Sequence, residues 1–255
     1  MNEIVSASGL KRCGWARVLN KRKRRTPNME FAAGRGTTFH GGVETWKKDG
    51  VVATVEDPEI QGWLDLLAMH WSPCRPSVHL ELALGLGHSG EYVPVAEVAP
   101  HVYLPEVMAV TSAIWEDADP FTQAQWKKTA TTLLLTAGRA DSIEWIPEHK
   151  AIDELDWKTG VWPPEGATTN LQRWAYGMAA ARKFGAHWLR VGHYFPRDGS
   201  FDRSDWIEVD SPEWRERFED VKAAALVGDD PKPGANCAGC WERKACQYAE
   251  KEDAA

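Results

Sequence analysis

A chain of 255 residues has room for one domain with a sizeable core. Its 43% apolar and 26% charged residues are ordinary for a soluble globular protein. A net charge of −7 argues against broad non-specific nucleic-acid binding, and no apolar run approaches membrane-spanning length.

The first element is a helix over 6–20, with Leu10, Cys13 and Trp15 on or near its apolar side. No acid lies between Glu3 and Glu30, whereas Lys11, Arg12, Arg17, Lys21, Arg22, Lys23, Arg24 and Arg25 crowd the same stretch. Such a patch can track a phosphate backbone, or it can be a solvated helix end. A turn is expected at 34–36, then a helix over 37–46 that carries His40. Pro58 opens another helix, with Ile60, Trp63, Leu64, Leu67 and Trp71 at helical spacing.

The period then changes to two, which predicts strands over 78–84 and 92–98. Gly85-Leu86-Gly87-His88-Ser89-Gly90 between them matches a dinucleotide-binding pattern. A strand follows where that fingerprint needs a helix, so the segment reads as a glycine-rich hairpin loop. Further strands are expected at 131–135, 140–145, 151–157, 187–195 and 206–209. An amphipathic helix is expected over 168–184, and Ser211-Pro212-Glu213 begins another. A Gly/Pro/Asp linker over 228–236 leads to the last three cysteines. The 14 tryptophans should mostly fill core or line grooves, with a few able to stack on bases.

The chemistry concentrates in Asp156-Trp157-Lys158. Alternation along a strand puts the carboxylate and the amine on one face. Asp141 supplies a second acid. Asp141 and Asp156 suit a hard divalent cation such as Mg²⁺, and Lys158 beside it could orient water or neutralise phosphate charge. His40 offers a neutral nitrogen as a further ligand. Glu81 could order the site or serve as a partly buried structural acid. Cys237, Cys240 and Cys246 have the spacing C-x₂-C-x₅-C, and Cys13 is a potential fourth ligand; the set suits a [4Fe–4S] cluster or zinc. Cys74 lies outside that pattern and reads as a simple loop thiol.

These segments together resemble the RecB family of PD-(D/E)XK nucleases. Gly36-Thr37-Thr38-Phe39-His40 is similar to its G-x-x-x-H motif, and Gly138-Arg139-Ala140-Asp141 to G-x-x-D. Asp156-Trp157-Lys158-Thr159-Gly160 is similar to D-x-K-T-G, and Gln172-Arg173-Trp174-Ala175-Tyr176 to Q-x-x-x-Y, all in family order. The resemblance implies an α/β fold with a mixed central sheet flanked by helices. It implies that His40, Asp141 and Asp156 bind Mg²⁺ or Mn²⁺, that Lys158 is catalytic, and that Gln172 and Tyr176 touch substrate.

One cysteine before the first motif and three after the last resembles the iron–sulfur nucleases of the AddB and CRISPR-associated types. That likeness implies a 4Fe-4S cluster on Cys13, Cys237, Cys240 and Cys246. Residues 1–30 and 228–255 would then form a cluster subdomain joining the two ends of a single nuclease domain spanning 1–255. The expected function is a metal-dependent DNA exonuclease acting on ends or single strands, in repair, CRISPR adaptation or phage DNA processing. A helicase or CRISPR adaptation proteins are candidate partners. The alternative is a non-catalytic adaptor that binds DNA ends. Residues 1–20 lack the apolar stretch of a signal peptide, so a cytoplasmic location is expected.

Overall fold

The computed structural model describes residues 5–6, 10, 27–160 and 166–226. A mixed sheet runs in the order β10-β8-β7-β6-β2-β3, with β1 added beside β6 and β9 beside β8. Its strands are β1 (Val5–Ser6), β2 (Val78–Gly87), β3 (Tyr92–Val93), β6 (Leu134–Ile146), β7 (Ala151–Trp157), β8 (Trp188–Phe195), β9 (Ser200–Arg203) and β10 (Ile207–Glu208). Helices α1 (Pro27–Asp49) and α2 (Pro58–His70) cover one face. Helices α5 (Leu171–Phe184) and α6 (Pro212–Leu226) cover the other. The expected α/β class, with a mixed sheet flanked by helices, is the one observed.

On the first face, Phe39, Val43 and Trp46 of α1 recur at helical spacing and meet Ile60, Trp63, Leu64 and Leu67 of α2. Asp57 caps α2 by accepting from the Glu59 and Ile60 amides, and Pro58 takes the first turn, where no amide donor is needed. On the second face, the small residues Ala175, Ala179 and Ala180 let α5 lie close to Leu189 and Val191 of the sheet. Gly177 permits the same approach, because a Cβ there would meet Leu189 at 2.7 Å. Helices on both faces explain why every residue of β7 is buried.

Several local expectations need correction. Ser6 is in a strand, not a helix: Val5 and Ser6 pair in parallel with Thr136 and Ala137. Helix α1 runs straight through Gly34 and Gly36, where a turn was expected. At Gly36 the absence of a side chain serves packing, since a Cβ would lie 3.0 Å from Thr159 Oγ1. The two strands expected over 131–145 are one strand, β6, and Gly138 lies within it. The strand expected over 92–98 is two strands in different sheets, β3 and β4, separated by Pro94, which has no amide to donate. The short strand β9 also escaped the sequence reading.

A second, two-stranded sheet, β4 (Val95–Ala99) and β5 (Val102–Pro105), follows β3. With α3 (Ser112–Asp117) and α4 (Pro120–Ala130) it builds a small core around Val98, Leu104, Val110, Trp115 and Ala130. Among the described residues, no helix is long and apolar enough to cross a membrane.

Candidate metal and phosphate site

The site forms where β6 changes neighbours. Along one edge, its first half pairs with β1 at Thr136 and Ala137, and its second half pairs with β7 from Ser142 to Ile146. Between them β7 diverges, and Asp141 Oδ2 accepts a hydrogen bond from the Trp157 amide at 2.9 Å. On the opposite edge, β2 pairs Leu80 with Ser142 and Leu82 with Ala140, which sets Glu81 opposite Asp141. Glu81 has a left-handed backbone, φ 51°. For a non-glycine residue that costs on the order of 1–3 kcal/mol, a strain that recurs at functional sites.

Helix α1 delivers His40 to the same point. Its Nδ1–H donates to Glu81 Oε1 at 3.0 Å, and its Nε2 lies 3.7 Å from Asp141 Oδ2. Ligand atoms of His40, Glu81 and Asp141 all lie within 4.8 Å of one another, and all three residues are half-buried. Burial, then the neighbouring charge of Asp156, pushes the Asp141 carboxyl up to about 6 despite His40 and Arg173 nearby. For His40, burial opposes protonation, but the Glu81 hydrogen bond and the charges of Asp141, Glu81 and Asp156 outweigh it, and the net shift is upward. The cluster is thus short of positive charge.

Asp156 is compensated differently. Its Oδ1 lies 2.7 Å from Arg173 Nη2, and its Oδ2 pairs with Lys158 Nζ. Burial would raise its pKa, but the charges of Arg173 and Lys158 prevail and hold it down to about 2. Arg173, fully buried on α5, also bonds Glu154 Oε1 at 2.6 Å. Burial pushes Glu154 well above the usual carboxylate range, so a single guanidinium serves one charged acid and one acid biased toward its neutral form. Lys158 lies just past the end of β7, where its amide donates to the Tyr194 carbonyl. Behind the site, Phe39, Trp63, Trp71, Trp157 and Tyr194 form a chain of edge-to-face rings.

An open cleft of about 530 Å³ leads to the cluster and is lined by residues of α1, β2, β6 and α5 and of the β4–β5 hairpin. Gln172 and Tyr176 stand on its α5 wall, one helical turn apart. Gly138 leaves room for that ring, since a Cβ there would lie 2.4 Å from Tyr176 Oη. A family model for the PD-(D/E)XK nuclease superfamily matches residues 10–247. The chain belongs to the PD-(D/E)XK nuclease superfamily. No curated protein sequence matches the chain.

Of the residues singled out from this nuclease's sequence, His40 and Asp141 meet in the cluster and Asp156 and Lys158 pair beside it. Asp156 is not in the three-residue cluster; Glu81, which the sequence left ambiguous, completes it. Arg173 and Glu154 went unnoticed. For Glu154 the signal was present, because Glu154 and Asp156 are two apart on one strand and so share a face. Cys74 donates its thiol to the Trp46 carbonyl at 3.4 Å and packs at the end of α1. Cys13, Cys237, Cys240 and Cys246, and the basic run 11–25, lie outside the described residues.

Proposed function

We propose that this superfamily member is a metal-dependent DNA nuclease, working as an exonuclease on ends or single strands, with the His40–Glu81–Asp141 cluster as its cation site. The observation that carries this reading is the cluster itself: one imidazole and two carboxylates at the base of an open cleft, beside a lysine paired with a third acid. Two hard oxygens and one nitrogen suit Mg²⁺ or Mn²⁺. The raised Asp141 carboxyl marks a place where added positive charge would be favourable. When bound, the ion would lower the pKa of a water and offset charge on phosphate oxygens. Asp156 is close enough to act electrostatically on both His40 and Asp141, and it holds Lys158 at the site edge. Lys158 would then steady the attacking water or the developing charge. Gln172 and Tyr176 would contact the nucleic acid from the cleft wall.

The iron–sulfur reading rests on the cysteine spacing and the family likeness, as do the proposed cluster subdomain and the links to CRISPR adaptation, repair or a helicase. One observation supports the joining of the two ends: Leu10 shares a core with Trp214, Val221 and Ala225 of α6. The segment before Cys13 and the helix that precedes the last three cysteines thus pack into one core.

The direct test is digestion of end-labelled single- and double-stranded DNA by anaerobically purified protein, with Mn²⁺, Mg²⁺ or EDTA. Stepwise shortening that stops in EDTA is expected. Tight end binding without cleavage in either metal would favour the adaptor reading instead.

A further inference from the structure

The cleft is acidic, yet the proposed substrate is a polyanion. Glu44, Glu81, Glu97 and Asp141 all line it. Among the described residues that line it, Arg139 is the sole arginine or lysine. Arg139 stands two residues before Asp141 on β6, so both side chains leave the strand on the same face. Its Nε lies 2.8 Å from Glu81 Oε2, and its Nη1 lies 3.5 Å from Glu97 Oε2. The side chain is 49% exposed, and it lines the cleft. Glu97 comes from the β4–β5 hairpin, the unit with its own small core, so the guanidinium bridges that unit and the nuclease sheet.

We propose that Arg139 is the residue through which the cleft grips a substrate phosphate, and that Glu97 holds its guanidinium in place until the nucleic acid arrives. The inference rests on the nuclease reading and adds to it a named phosphate contact and a counter-ion. A planar guanidinium presents paired donors that match two phosphate oxygens, which a lysine cannot do. Glu81 would share its charge between Arg139 and the cation, so filling the metal site frees the fork for phosphate. Glu97, more distant from Arg139 than Glu81 is, would then be the weaker restraint. Among the described residues that line the cleft, a diester would otherwise meet four carboxylates and no other arginine or lysine.

The test measures binding apart from cleavage. Fluorescence anisotropy of a labelled oligonucleotide in Ca²⁺ would be followed across a salt series for the wild type, Arg139→Ala, Arg139→Lys and Glu97→Gln. Thermal shift with Mn²⁺ would report whether each variant keeps a folded cation site. Arg139→Ala should bind roughly tenfold more weakly, with a salt slope shallower by about one, while still responding to Mn²⁺. Arg139→Lys should recover the slope but only part of the affinity. Glu97→Gln should bind more tightly than the wild type. Wild-type affinity and slope in Arg139→Ala would overturn the phosphate contact, and unchanged or weaker binding by Glu97→Gln would overturn the restraint. A wild type that cleaves no DNA in Mn²⁺ would instead sink the nuclease reading, which keeps the two failures apart. If Arg139→Ala does not fold, Arg139→Lys decides: binding identical to the wild type would contradict a role for the guanidinium fork.

Discussion

Two acids of this nuclease, Asp141 and Asp156, lie close together and differ in what balances them. Asp156 has two basic partners, Arg173 and Lys158, and its carboxyl is held down to about 2. Among the described residues Asp141 is met directly by a histidine and a backbone amide, with Arg173 acting from farther off, and its carboxyl is pushed up to about 6. The pattern teaches where the fold leaves charge unsettled. The chain neutralises the acid that is packed away and leaves uncompensated the acid that faces the cleft, as a site built to receive a cation would.

The comparison breaks most sharply at Lys158. Lys158→Ala should remove the cation paired with Asp156 Oδ2 and cut the cleavage rate by about 10²–10³. Circular dichroism should show an unchanged fold, and wild-type cleavage by that variant would remove Lys158 from the chemistry.

Next comes the buried side of the contrast. Arg173→Met should cost about 3–5 kcal/mol of stability, because Glu154 and Asp156 would lose their shared partner. Adding Glu154→Gln should recover part of the loss in denaturant titrations; no recovery would mean that Glu154 carries no charge strain.

For the cleft side the sign reverses. Asp141 has a folded pKa of about 6 against an ordinary 3.8, so the metal-free fold binds this proton more tightly than the unfolded chain does. Its contribution to stability is present below about pH 4 and lost as pH rises through about 6. Asp156, shifted from 3.8 to about 2, contributes stability above pH 4 that is lost as pH falls toward 2. Asp141→Asn should therefore melt no lower than the wild type near pH 7 without metal, and should lose the Mn²⁺-induced rise in Tm. In the wild type that rise should fade as pH drops below 6, because a protonated Asp141 or His40 cannot ligate. A variant that melts well below the wild type without metal would show that Asp141 stabilises the fold rather than waiting for a cation.

A smaller effect belongs to the wall. Gly138→Ala should cost about 1–3 kcal/mol, since the new methyl would overlap the Tyr176 phenol. Tyr176→Phe in that background should restore part of the melting temperature, and failure to do so would place the clash elsewhere.

Elements of the core were legible where they carry a plain period, as α2 does with Ile60, Trp63, Leu64 and Leu67. Motif glycines misled where they serve packing rather than turning. Gly36 sits inside α1 against Thr159, and Gly138 sits inside β6 against Tyr176. Of the β4–β5 unit only most of β4 was read as strand; β5, α3 and α4 were not, because their core is a handful of residues with no long repeat. His40 and Asp141 could be picked out by residue type and spacing. Glu81 stayed open between a site role and a structural one, because its place depends on a left-handed backbone within a strand. Arg173 was hidden for a different reason: a buried cation between two acids is a tertiary fact, and no local pattern announces it.

The central claim is that the cation belongs to His40, Glu81 and Asp141, and the most direct measurement is an anomalous difference map from crystals soaked in Mn²⁺. The account predicts a peak bounded by those three side chains, beside the middle of β6. A peak centred elsewhere in the cleft, or a cluster that stays empty at saturating Mn²⁺, would contradict it.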